Sequence, residues 1–287
     1  GKIVNAVGII CEYNPFHLGH ARMLEGLRRQ YDAPLVCAMS GNFVQRGDAA
    51  VARKHARGGM AVRCGADLVL ELPSPWVMAS AERFAAGGVA LLASTGVVSH
   101  LAFGSECGDL TALQTAEAAL SQPELMPRIR QLLAQGMAYA PARQQAAEEL
   151  GAPPQMLSRP NDILAIEYLK ALRRQRAPME PLAVLRQGAS HDGAPSGDTA
   201  SASYLRTLLR SGRTDEALSY LPAPAAQVLR RELALGQAPA DLSYCQRAIL
   251  ARLRQLREED FLPYDGGKEG LYHRFYQAVR TSCSPEE

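Results

Sequence analysis

Two histidines three residues apart, in Asn14-Pro15-Phe16-His17-Leu18-Gly19-His20, are the side chains of this sequence best suited to chemistry. On the first turn of a helix that spacing turns both imidazoles to one side. Taken alone, His-x-x-His is compatible with a capped helix carrying two solvated rings, or with part of a metal site. Its flanks argue for more. The apolar run Ala6-Val7-Gly8-Ile9-Ile10-Cys11 before it reads as a buried strand. After it, Met23, Leu24 and Leu27 fall at helical spacing. Asn14-Pro15 turns the chain between the two. The first amides of such a helix lack internal partners and share its positive end, so the turn suits an anion, phosphate above all. Two imidazoles over that opening can donate hydrogen bonds to the oxygens of a phosphorus in transit. Gly19 leaves no side chain in the path of a ligand approaching the backbone.

The elements that must position this turn alternate along the chain. Ala33–Met39 reads as a second strand, 51–65 as a helix, and 66–73 as a strand stopped by Pro73 and Pro75. Ala79–Thr95 is an alanine-rich helix and Val97–Phe103 a further strand. Leu110–Leu150 is helical with a break near Pro123, a helix opens at Asn161, and Glu180–Leu185 is the last strand. This β-α alternation predicts an α/β fold with a doubly wound, Rossmann-like parallel sheet.

Ligands of such sheets lie at the carboxyl ends of the strands. The loop from Ser40 to Ala49, with Gln45-Arg46-Gly47, is therefore a candidate pocket wall, although by itself it would pass for a solvated turn. Arg53, Lys54, His55 and Arg57 read as one solvated basic turn. Gly104, at a strand's end, could let a base or ribose lie against backbone. Asn161 is placed to cap its helix, with Asp162 in the first turn. Ser201-Ala202-Ser203-Tyr204-Leu205-Arg206 opens another helix and makes a second anion site, near Arg186 at the end of the last strand. The loop Gln187–Gly193 and the polar stretch to Thr199 are expected to be mobile. Beyond Leu205 the pattern is helical only. That sets an expected division into 1–208, a sheet domain, and 209–287, a helical region. In the latter, Arg247, Arg252, Arg254 and Arg257 form a band that either meets RNA phosphates or is solvated.

Composition narrows the class. The 287 residues are 47% hydrophobic and 21% charged with a net charge of +2, which excludes a disordered or polybasic chain. No apolar run is long enough to cross a bilayer. No signal sequence precedes the first strand, and the six cysteines include no Cys-x-x-Cys pair. Cys11 and Cys37, in apolar strands, are expected to be reduced core residues, and the location cytoplasmic.

Tyr13-Asn14-Pro15-Phe16-His17-Leu18-Gly19-His20 resembles the signature box of the HIGH nucleotidyltransferase superfamily. The Glu-Tyr-Asn-Pro-Phe-His form resembles, more narrowly, the bacterial tRNA(Met) cytidine acetate ligases. Ser40-Gly41-Asn42-Phe43-Val44-Gln45-Arg46-Gly47 and Pro160-Asn161-Asp162-Ile163-Leu164 are similar to further stretches of that family. Ser201–Arg206 is similar to the superfamily's second phosphate box, with Ala202 in place of its middle serine.

The resemblance implies an enzyme that uses ATP, with Mg2+, to activate acetate as acetyl-adenylate. The acetyl group then passes to N4 of the wobble cytidine of elongator tRNA(Met). It places His17 and His20 at the α-phosphate. It sets Ile10, Cys11, Glu12, Tyr13, Asn14, Pro15, Phe16, Leu18, Gly19, Ala21, Arg22 and Met23 along the nucleotide, with Gly104 and Asn161. Arg186, Ser201, Ser203 and Arg206 fall to the distal phosphates, and Ser40, Gln45 and Arg46 to the substrate pocket. No dedicated metal site is implied. Members of the family run on into a basic C-terminal segment, whereas this sequence ends at Ser284-Pro285-Glu286-Glu287, which bears on tRNA binding more than on ATP. Two other readings use the same boxes: a nucleotidyltransferase that adds AMP to a phosphorylated cofactor precursor, and a non-catalytic RNA-binding protein on an ATP fold.

Overall fold

The computed structural model describes residues 5–186, 195–264 and 270–285. In chain order the first part runs β1 (Val7–Cys11), α1 (Leu18–Tyr31), β2 (Leu35–Ser40), α2 (Lys54–Arg63), β3 (Leu68–Leu72), α3 (Ser74–Val77), α4 (Ala81–Ser94) and β4 (His100–Ser105). Then come α5 (Leu110–Leu120), α6 (Leu125–Ala134), α7 (Tyr139–Glu149), α8 (Pro160–Gln175), β5 (Glu180–Leu185), α9 (Ala202–Arg210), α10 (Thr214–Ser219) and α11 (Ala223–Ala234). The strands form one parallel sheet in the order β3-β2-β1-β4-β5. β1 pairs with β2 from Val7↔Leu35 to Cys11↔Met39, and with β4 from Val7↔His100 to Ile9↔Ala102. The chain winds to one side of β1 and then to the other, so the crevice at the ends of β1 and β4 is the switch point where such sheets bind ligands.

Alternation along the strands divides the core. Ile10, Val36, Ala38, Leu101 and Phe103 pack with α4, α5 and α8 on one face. Val7, Ile9, Leu35, Cys37 and Met39 pack with α1, α2, α9 and α11 on the other. Period-two side chains buried on both faces are what a covered parallel sheet requires.

Several expectations need correction. Pro73 does not simply stop β3: it serves as N-cap of α3, with Pro75 in the first turn. The stretch 110–150 breaks near Pro123, between α5 and α6, as expected, and turns a second time at Gly136 with φ +88°, which makes three helices. Two compact units are present, Gly1–Pro239 and Ala240–Glu287. The helices α10 and α11, which the sequence pattern had grouped with the tail, share the core of the sheet through Ala217, Leu218, Leu221, Ala225 and Leu229. The loop Gln187–Gly193, expected to be mobile, lies outside the described residues.

The second unit carries α12 (Gln246–Arg254) and α13 (Leu271–Thr281). Its basic band is partly structural. Arg254 donates to the carbonyls of Val279 (3.0 Å) and Ser282 (2.8 Å) at the end of α13, and Arg257 pairs with Glu259 and Asp260. No helix among the described residues is long and apolar enough to cross a membrane.

Candidate active site at the tips of β1 and β4

The turn after β1 folds on itself. His17 is the N-cap of α1, and its Nδ1 accepts the Gly19 amide at 3.0 Å. His20 is the third helical residue, and its Nδ1 accepts the His17 amide at 3.2 Å. This is a capping box built from two imidazoles where serine and glutamate are usual. The rings stack, with centroids 3.6 Å apart and planes 21° apart, and His20 also packs against Tyr13 and Phe16. The hydrogen bonds have a chemical consequence. A nitrogen that accepts an amide proton carries none of its own, so each neutral ring holds its proton on Nε2 and offers that N–H as a donor. Both rings are neutral. Burial, with Arg186 nearby, lowers the His17 pKa to about 3, and burial, His17 and Arg186 lower that of His20.

An amide-lined opening, as expected from the sequence, is only partly present. The Gly19 amide is taken by His17, and the Leu18 amide donates to the Tyr220 carbonyl at 3.0 Å. The imidazole Nε2–H groups therefore stand where free amides were expected. Gly19 has a different reason as well: a Cβ there would lie 2.9 Å from His17 Cε1, so the missing side chain makes room for the ring.

Beneath this turn lies Arg57 of α2, which is completely buried. It donates to the carbonyls of Glu12 (2.6 Å), Tyr13 (3.1 Å), Ser40 (2.9 Å) and Gly41 (2.6 Å) and to Ser40 Oγ (3.2 Å). One guanidinium thus ties the tip of β1 to the tip of β2, and burial pulls its pKa down to about 10. The reading of Arg57 as part of a solvated turn was wrong. The available signal was helical spacing: Arg57 shares its stripe with Met60 and Ala61, both buried. Ser40 is buried beside it. Glu12 accepts the Gln45 amide at 3.0 Å, and burial raises its pKa against the pull of that amide, Arg57 and Arg206. Arg46 is exposed, with φ +67°.

The start of α9 comes to the turn after β1. Ser201 caps α9, accepting the Tyr204 amide at 3.1 Å, and Arg206 donates to the Asn14 carbonyl at 2.9 Å. Arg22 of α1 donates to Thr199 Oγ1 at 2.7 Å and pairs with Asp198. Ser203 is half-buried in the first turn of α9. Within Ile10–Met23, the side chains of Ile10, Tyr13 and Phe16 belong to the core, and Met23 packs against it. Asn14 Oδ1 accepts the Val51 amide at 2.7 Å. Ala21 faces a separate groove with Leu24 and Arg28. Those residues support the turn.

The opposite wall rises from β4. Glu106 accepts the Asn161 amide (3.1 Å), Asn161 Nδ2 (2.7 Å) and the Asp162 amide (2.9 Å). Asp162, buried, returns the clasp by accepting Ser105 Oγ (2.5 Å) and the Glu106 amide (2.9 Å). Asn161 is therefore not the N-cap. Arg159 holds that position, and the carboxylate of Glu106 does the capping from outside the helix. Freed from capping, Asn161 turns Oδ1 to Arg186, which donates to it at 2.7 Å. Gly104 makes room for Arg186, whose Cγ and Cδ would lie 3.0 and 3.1 Å from a Cβ there. Glu106, Asp162 and Arg57 were missed as parts of the site, since their partners lie tens of residues away.

A doubly wound sheet with paired imidazole donors at its switch point, faced by two arginines, has the build of a nucleotidyl transferase. A family model described as HIGH Nucleotidyl Transferase matches residues 4–287. A tRNA(Met) cytidine acetate ligase of Syntrophomonas wolfei is 38% identical over 98% of this chain and 70% of its own length. One of Syntrophotalea carbinolica is 43% identical over 90% of this chain and 62% of its own. The crystal structure of Thermotoga maritima TmcAL bound with alpha-thio ATP is similar at a TM-score of 0.85 and 32% identity, covering 98% of this chain and 68% of that one. The chain belongs to the HIGH nucleotidyltransferase family, among the tRNA(Met) cytidine acetate ligases. It spans about two thirds of the length of these relatives.

Proposed function

We propose that this protein activates acetate with ATP and transfers the acetyl group to N4 of the wobble cytidine of elongator tRNA(Met). The observation that carries the reading is the histidine capping box, whose locked tautomers leave two neutral Nε2–H donors at the switch point of the sheet. In this scheme acetate attacks the α-phosphorus and pyrophosphate leaves. His17 and His20 donate to the α-phosphate oxygens as charge builds on them, the kind of aimed donor that acts most strongly in a dry site. Arg186 and Arg206, with Ser201 and Ser203 at the start of α9, take the distal phosphates and the departing pyrophosphate. Asn161 contacts the nucleotide, and Gly104 serves by leaving room for the Arg186 stem. Arg22, through Asp198 and Thr199, holds the segment before α9 against α1. Gln45 and Arg46 wall the acyl pocket beside Glu12. The cytidine amine then attacks the acetyl carbon, AMP leaves, and the amine gives up a proton.

Mg2+, when it accompanies the triphosphate, neutralises phosphate charge. Among the described residues no group of three or more His, Cys, Asp or Glu could hold a metal ion, and an ion carried by the triphosphate would need one or two carboxylates at most. A cytoplasmic setting, where ATP and tRNA meet and thiols stay reduced, fits the six free cysteines.

The test is ATP–pyrophosphate exchange with and without acetate. Acetate should stimulate exchange, and His20→Ala should reduce it at least about a hundredfold, the scale of one lost oxyanion donor. Exchange driven by a phosphorylated cofactor precursor in place of acetate would support the cofactor-adenylylating alternative. A His20→Ala variant with full acetate-dependent exchange would remove the histidines from the mechanism.

A further inference from the structure

The helix that anchors the catalytic turn has a second working face. On one side α2 sends Arg57 inward to the β1 tip. On the other, Arg53, Ala56, Gly59 and Arg63 recur at helical spacing and face Gln227, Arg231 and Glu232 of α11. Between them, with His55 at one end, lies a groove of about 680 Å³. The groove is open over Gly59, where a Cβ would meet nothing within 4 Å.

The charges of the groove are arranged. Glu232 is buried and takes Arg53 by two parallel bonds, from Nε and Nη2, each 2.7 Å. That fixes the plane of an otherwise exposed guanidinium. Arg63 and Arg231 are exposed. Three guanidiniums against one carboxylate make a strongly cationic trough in a chain whose whole net charge is only +2. Arginine's fork fits the oxygens of phosphate and carboxylate alike, and of the two it is phosphate that the tRNA reading above supplies. The groove's location on the helix that holds the β1 tip ties it to the reaction.

We propose that the groove between α2 and α11 binds the phosphodiester backbone of the RNA substrate, gripping it away from the nucleotide being modified. The inference rests on the tRNA reading above and deepens it. Such contacts position the RNA without reading sequence, and each one neutralised phosphate contributes to the salt dependence of binding.

The test compares the 287-residue chain with Arg63→Ala/Arg231→Ala and, separately, Gly59→Glu, which puts a carboxylate into the open floor. The probe is an elongator tRNA(Met) transcript titrated at several salt concentrations, with a polyglutamate peptide in parallel. Acetate-dependent ATP–pyrophosphate exchange without tRNA reports the basal activity and confirms folding. The double variant should raise Kd and KM for the transcript about tenfold. It should also flatten the slope of log K against log salt by roughly 1.5, as for two lost phosphate contacts. Gly59→Glu should weaken binding in the same direction, and exchange should be unchanged in both. Wild-type tRNA affinity and salt slope in the double variant would overturn the groove while leaving the activity standing. Binding of polyglutamate but not of tRNA would overturn the groove and the tRNA reading together, and no binding of tRNA by the wild-type 287-residue chain would overturn the groove alone.

Discussion

The two walls of the site are built on opposite plans. The β1 wall is anchored on backbone: His17 and His20 accept the Gly19 and His17 amides, and Arg57 grips four carbonyls at the tips of β1 and β2 from below. The β4 wall is a side-chain structure. Glu106, Asn161, Asp162 and Arg186 come from three elements and hold one another through carboxylate and amide groups. A wall of the first kind is rigid because each of its side chains is tied to backbone amides or carbonyls, which have no rotamers to explore. The second can yield when a triphosphate competes for Arg186. Under the proposed function, the first wall would stabilise the transition state and the second would grip and release the nucleotide.

The largest expected effect breaks the first wall at its base. Arg57→Ala leaves the carbonyls of Glu12, Tyr13, Ser40 and Gly41 buried without their donor. The cost is about 4 kcal/mol, measured by denaturant unfolding, since each orphaned group costs roughly 1–3 kcal/mol and relaxation recovers part. Arg57→Lys should not restore stability, because one ammonium cannot reach both strand tips. A stable Arg57→Ala variant would mean that the turn holds itself.

Next comes Gly19→Ala. Alanine favours the helix, so stability should hold or rise slightly. The new Cβ would sit 2.9 Å from the His17 ring and must push it aside. Misplacement by an ångström costs roughly a hundredfold in rate, so exchange should fall by about that factor with melting temperature unchanged. A variant that lost stability in step with activity would show that the ring is mere packing.

The comparison can also be sharpened by pH. His17 has a native pKa of about 3, lowered by burial, against roughly 6.5 when unfolded. The unfolded chain binds the extra proton, so this group's contribution is intact above pH 6.5 and is lost as pH falls from there toward 3. Between pH 7.5 and 5 wild type should lose about 2 kcal/mol relative to His17→Asn, which keeps a capping side chain without the titration. His20, lowered in the same direction, steepens the wild-type loss. Equal pH profiles for the two proteins would mean that the imidazole is not buried neutral.

The same contrast explains what could be read from the chain. The β1 wall was legible because its parts are local: a strand, an Asn-Pro turn and a helix with two histidines at its start all lie in one stretch, and capping is an i-to-i+3 affair. The doubly wound parallel class of the sheet followed from β-α alternation. Arg57 was hidden because an arginine on an alanine- and glycine-rich helix reads as solvated unless its stripe is traced. The clasp of Glu106 and Asp162 was hidden for a deeper reason. Asn161 has the residue type of an N-cap, but Pro160 before it suits the first helical position, and a carboxylate from 55 residues away takes over the capping. The same long-range competition moved the unit boundary from 208 to 239, since the apolar face of α11 has no partner within its own stretch of sequence.

The mildest effect lies on the second wall. Asn161→Ala removes the acceptor of Arg186 but leaves Asp162 and its amide to keep the clasp closed. Stability should change by no more than about 1 kcal/mol, the net worth of a partly exposed hydrogen bond. Arg186 would lose its orientation without losing its charge. KM for ATP should therefore rise about tenfold while kcat changes less, the pattern of a lost ground-state contact. A fall in kcat with KM unchanged would reverse the assignment: Asn161 would then belong with the histidines, acting where charge develops, and the β4 wall would share in catalysis as well as in binding.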